Sequence, residues 1–124
     1  MNTNKNIQII KGNLSDPDQA SHFLRLTAGY MKDPMGQAEP WTNEQKGDVI
    51  NDLKNHPLAL ILFAKLNDQF VGVCTCFFAY STFMAKPLLN IHDIYVEEGY
   101  RGVGVARQLL QALEGAAQEK NVAR

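Results

Sequence analysis

Apolar residues recur along this chain in both helical and strand rhythms. From Val105 onward, Leu109, Leu110, Leu113, Ala116 and Ala117 return at three- and four-residue spacing, which predicts a helix with one buried face. Just upstream, Ile91, Ile94, Tyr95 and Val96 form a short β-branched and aromatic run, which predicts a strand ending at Glu97-Glu98-Gly99. Between them lies a tight glycine-bearing junction, Arg101-Gly102-Val103-Gly104-Val105-Ala106.

The N-terminal part divides in the same way. Ile7, Ile9 and Ile10 predict a first strand over Lys5 to Lys11, ended by Gly12-Asn13. Ser15 is the expected N-cap of a helix with Pro17 in its first turn, and Ala20, Phe23, Leu24, Thr27, Tyr30 and Met31 supply its sheet-facing stripe. The segment from Lys32 to Trp41 contains Pro34, Gly36 and Pro40 and predicts a loop. Thr42 and Gln45 match a capping box for a second helix carrying Val49, Ile50 and Leu53. Leu58 to Leu66 and Phe70 to Tyr80 are apolar on both faces, and the short Asn67-Asp68-Gln69 connection predicts an antiparallel hairpin in a sheet covered on each side. Ser81 to Pro87 is read as a link. The order is therefore β-α-α-β-β-β-α, an α+β pattern.

A length of 124 residues suits one compact domain, taken as 1–124. The formal net charge of -1 offers no basic surplus for nucleic acid. The polar start MNTNKN lacks a signal-peptide core and no apolar run is long enough to span a bilayer, so the expectation is a cytoplasmic protein without membrane partners. Cys74 and Cys76, two apart on one strand, leave the same face and read as buried reduced thiols, too few for a metal site; no metal is expected.

The junction has chemical use. The first amides of a helix lack intrahelical acceptors and lie at the positive end of its dipole, so a phosphate placed there satisfies both. Gly102 and Gly104 would let a pyrophosphate approach the backbone, and Arg101 adds a fixed positive charge. The bland alternative is a tight strand-to-helix turn with a solvated arginine. A dinucleotide fingerprint is a third reading, but it needs a small residue where Arg107 stands, and the preceding hairpin is wrong for a parallel βαβ unit.

HDIYVEEGYRGVGVARQLL resembles the acetyl-CoA-binding segment of the GNAT family of N-acetyltransferases. Arg101, Gly104 and Ala106 fill its signature, and the preceding strand, the Tyr-Arg-Gly and the following Leu-Leu agree. The resemblance implies a GNAT-like fold, a mixed, mostly antiparallel sheet flanked by helices. It also implies a further strand, a helix and usually two more strands after Arg124, so the chain reads as a domain incomplete at its C-terminus, a fragment or one completed by another chain. An open sheet edge, and the frequency of dimers in the family, point to a homodimer.

The implied activity is transfer of an acetyl group from acetyl-CoA to a primary amine of a small molecule or peptide. The alternative is a non-catalytic acyl-CoA-binding or regulatory module. By resemblance, the amides of Ile94, Tyr95 and Val96 orient the donor, while Gly102, Val103, Gly104, Val105 and Ala106, with the Arg101 side chain, hold its pyrophosphate. His92 occupies the place of a glutamate base in many relatives, with Asp93 or Glu97 as substitutes. Asp33, Glu39 and Trp41, in the loop that borders the acceptor pocket in the family, are the candidate substrate contacts. The tyrosine that commonly protonates the leaving thiolate has no counterpart up to Arg124.

Overall fold

The computed structural model describes residues 6–34 and 36–119. The expected strand start at Lys5, the helix end at Lys120 and the tail to Arg124 lie outside these. Four strands, β1 (Ile7–Lys11), β2 (Ala59–Leu66), β3 (Gln69–Ser81) and β4 (Lys86–Val96), form one antiparallel sheet in the order β1-β2-β3-β4. Helices α1 (Pro17–Lys32) and α2 (Asn43–Lys54) fall between β1 and β2, and α3 (Val105–Glu119) follows β4 after a turn of 3-10 helix at Glu98–Tyr100. The α+β order and the GNAT-like arrangement expected from the sequence are both found.

Alternation along β2 explains why its run is wholly apolar. Leu60, Leu62, Ala64 and Leu66 pack with Val105, Leu109 and Leu113 of α3, whereas Ile61 and Phe63 pack on the opposite face with Phe23 and Leu26 of α1. Cys74 and Cys76 share the α3 face, their sulfurs 3.7 Å apart. The β2–β3 connection is a two-residue turn with Asn67 and Asp68 at φ 53° and 67°, which matches the strand twist.

Two boundaries differ from the sequence reading. Asp16, not Ser15, caps α1: its carboxylate accepts from the Asp18 amide, Pro17 takes the first helical position, and the Ser15 amide is used by Asn13 Oδ1. The segment read as a link is the turn of a hairpin: Ser81 ends β3, Lys86 opposite it begins β4, and Pro87 lies within that edge strand, where its missing donor costs little. The Thr42–Gln45 capping box is present as expected, with both reciprocal hydrogen bonds formed.

Candidate active site

A cleft of about 680 Å³ opens where the end of β4, the glycine loop, the first turn of α3 and the C-terminus of α1 converge. A β-bulge shapes its floor. Thr75 pairs with Asp93 and Cys76 with Ile91, leaving His92 as the extra residue of β4. A regular strand would send His92 and Asp93 to opposite faces. With the bulge, both line the cleft, and Ile91 faces α3 at a groove with Leu110 and Leu113.

The two differ sharply in surroundings. The His92 side chain is 70% exposed, that of Asp93 only 8%, with His92 Nε2 3.8 Å from Asp93 Oδ2. Asp93 Oδ1 is buried without a hydrogen-bond partner, as are the hydroxyls of Thr75 and Thr27. Burial raises the Asp93 pKa above the usual carboxylate value, against the opposing pull of His92. An unsatisfied buried carboxylate that lines a cleft is a group disposed to accept a proton or a cation.

At the other end the loop is cationic and open. Gly102 and Gly104 have φ of +83° and +96°, a conformation that disfavours any side chain. A Cβ on Gly102 would meet nothing within 4 Å, so the space above the loop is clear. The Gln108 amide bonds to Gly104 O, which places the amides of Val105, Ala106 and Arg107 in the unpaired first turn of α3. Arg101 and Arg107 both line the cleft beside them. These amides, the open loop and the two arginines fit a diphosphate, with Arg101 also held by the Val96 carbonyl at 2.8 Å and lying 3.3 Å from Asp33 Oδ2.

The loop is tied to the body at its start. The Glu97 amide donates to Val71 O at 2.9 Å, the Glu97 carboxylate pairs with Arg25, and Arg25 also donates to Phe70 O at 3.0 Å. Tyr100 donates to Gln69 Oε1 at 2.7 Å.

Of the residues singled out from sequence, Asp33, His92, Asp93, Ile94, Tyr95, Val96, Arg101, Gly102, Gly104, Val105 and Ala106 all border this one cleft. The Val103 side chain instead packs against the α3-side core. Trp41 packs against the α1-side core and Glu39 is exposed, and neither lines the cleft. Tyr30, Tyr100, Ile91 and Arg107 line it without having been singled out. Arg107 carried a legible signal: a cation in the first turn of a helix opposes the dipole, a placement that calls for an anionic partner. Tyr30 carried none beyond its place in the α1 stripe.

Residues 23–124 match the Acetyltransferase (GNAT) family. Solved structures agree on the fold. A ribosomal-protein-alanine N-acetyltransferase from Brucella melitensis biovar Abortus 2308 superposes with a TM-score of 0.79 at 22% identity, over 94% of this chain and 76% of that one. An aminoglycoside acetyltransferase from an uncultured soil metagenomic sample, solved with sisomicin, gives 0.79 at 18% identity, over 97% and 75%. A possible acetyltransferase from Clostridium difficile 630 gives 0.78 at 15%, over 94% and 75%. No curated protein matches the chain in sequence.

Proposed function

The chain belongs to the GNAT family of acetyltransferases, and from that premise we propose that it transfers an acetyl group from acetyl-CoA to a primary amine of a small molecule or peptide. The observation that carries this reading is the bipolar cleft, with unpaired amides and two arginines at one end and the buried, unsatisfied Asp93 at the other. When bound, acetyl-CoA supplies a thioester whose acetyl carbon is open to a neutral amine.

The protein's own part is to hold and to deprotonate. The amides from Gly102 to Ala106 and the Arg107 side chain hold the diphosphate, and the backbone of Ile94, Tyr95 and Val96 orients the rest of the donor along β4. Asp93 is the proton acceptor. Its raised pKa brings it closer to the working pH than an ordinary carboxylate, which suits it to take a proton from an ammonium. His92, adjacent and open to solvent, passes that proton outward.

The test is release of free thiol from acetyl-CoA by the full chain, with a panel of primary amines. Amine-dependent release that is lost in Asp93→Asn supports the proposal. Binding of CoA with no release for any amine would reduce the chain to an acyl-CoA-binding module.

A further inference from the structure

Cys74 and Cys76 stand on either side of Thr75 in β3, both free and both fully buried. Their side chains leave one face of the strand and pack with Val105, Leu109 and Leu113 of α3, the sulfurs 3.7 Å apart. Thr75 is the strand partner of Asp93, and the bulge that isolates His92 falls between Thr75 and Cys76. The dithiol thus brackets the residue of β3 that pairs with the proton acceptor. With Cys74 as donor, the hydrogen bond between the sulfurs holds the Cys76 pKa below the ordinary thiol value, against burial and Asp93, while the same bond and burial push Cys74 up. One sulfur is disposed to be a nucleophile and the other to keep its proton.

We propose that Cys74 and Cys76 are a reversible redox site, converted by a peroxide to an intrastrand disulfide that draws β3 together across Thr75 and displaces its partner Asp93 in the cleft. The consequence for acetyl transfer rests on the reading of Asp93 as the base; the disulfide itself does not. The Cys76 thiolate attacks one peroxide oxygen, the O–O bond breaks, and the departing hydroxide takes up the proton that the thiolate gave up, as water. The Cys74 sulfur then attacks the sulfenic sulfur of Cys76: the S–S bond forms, the S–O bond breaks, and the Cys74 proton leaves with the hydroxyl as a second water. The electron pair lost by the sulfurs is the pair gained by the peroxide. Strand rise sets the two Cα atoms about 6.8 Å apart, the upper edge of the roughly 4.4–6.8 Å that disulfides span, and the sulfurs must close to about 2.05 Å. β3 must bend to accept the bond, which makes it strained and readily reduced. Ile91, the strand partner of Cys76, lines a groove of about 310 Å³ with Leu89, Leu110 and Leu113, and Leu113 packs in the same cluster as both sulfurs. Movement of the Leu113 side chain opens a path from that groove for an oxidant little larger than water.

The test adds hydrogen peroxide to the full folded chain and follows intact mass, free thiols after unfolding, and amide resonances. The expected product is a single chain lighter by two hydrogens, with no free thiol and with the amide signals of Thr75, His92 and Asp93 displaced, all restored by dithiothreitol. Acetyl transfer should fall by at least about tenfold, part of the 10²–10⁴-fold that a general base supplies, and recover with the reductant. Cys76→Ala, left with the thiol that keeps its proton, should stay reduced and hold its rate; Cys74→Ala should add oxygen at Cys76 and close no bond. Thiols that stay free under peroxide sufficient to oxidise the urea-unfolded chain overturn the inference. So do oxygen atoms added to the wild type, a disulfide between chains, or an internal disulfide that leaves the His92 and Asp93 signals in place. A reduced chain that transfers acetyl to no amine overturns the functional reading alone, because mass and resonances still decide the redox site.

Discussion

Gly29 of α1 lies so close to Tyr95 of β4 that a Cβ in its place would come within 2.8 Å of the tyrosine oxygen and 2.9 Å of its Cε2. The ring is held by Arg101 on one side and Tyr30 on another, so it cannot yield freely. The closeness of α1 to β4 at the cleft therefore depends on a residue without a side chain.

Two glycines within helices should consequently respond in opposite ways. Gly115 in α3 faces open space, and Gly115→Ala should stabilise the fold by about 1 kcal/mol through helix propensity. Gly29→Ala gains the same propensity but adds overpacking of roughly 1–3 kcal/mol and displaces Tyr95. Chemical denaturation should give a higher midpoint for the first variant, and no gain together with weaker acceptor binding for the second. Equal stabilisation by both would show that Tyr95 moves aside at no cost.

Asp93 trades stability for chemistry. Its folded pKa is raised, so the native state holds the proton more tightly than the unfolded chain. The sign follows: the protonated group contributes stability below the ordinary carboxylate range, and that contribution is lost as pH rises through the folded pKa. Asp93→Asn should raise the unfolding midpoint at neutral pH, and the gap to wild type should close as pH falls. The same variant should lose about 10²–10⁴-fold in acetyl transfer. A lowered midpoint at neutral pH would contradict the burial argument.

The pH dependence of kcat/KM should rise on its acid limb through the Asp93 pKa, because the base must be ionised to work. His92→Ala should leave that limb in place and lower the rate by roughly tenfold, less than a typical general base supplies. Loss of the limb in His92→Ala, with Asp93→Asn retaining it, would reverse the roles of the two residues.

Gly102→Ala tests the loop. The added methyl meets no neighbour, so its cost is conformational, about 1–2 kcal/mol for a left-handed residue. CoA affinity should fall by roughly that amount, about five- to thirtyfold. Core packing should be untouched, as judged by tyrosine and tryptophan fluorescence.

Apolar spacing located the four strands and three α-helices of the described residues, because each packs an apolar face, only partly buried in α2, into the core around one sheet; the turn of 3-10 helix at Glu98–Tyr100 left no such pattern. The Thr42–Gln45 cap was legible for a related reason: reciprocal capping is a local interaction between nearby residues. What spacing could not record was the bulge at His92. It is set by pairing with Thr75 and Cys76, distant in sequence, and it leaves His92 as the extra residue beside Asp93. The β4 start at Lys86 was hidden for the same reason, since Pro87 argues locally against a strand and only the partner Tyr80 keeps it there. The glycine loop was legible because backbone geometry restricts its residues directly. The pairing of Arg101 with Asp33 joins two segments that sequence reading assigned to donor and acceptor separately, and no local pattern links them.

The most direct measurement is thermal unfolding of the full chain with and without CoA. At about 100 times the dissociation constant a ligand of the native state adds roughly 2.7 kcal/mol, which raises the midpoint of a domain this size by on the order of 10 °C. One cooperative transition should shift upward by that amount, with a smaller shift at the same CoA concentration in Gly102→Ala. A cooperative transition whose midpoint stays in place at every CoA concentration would contradict it.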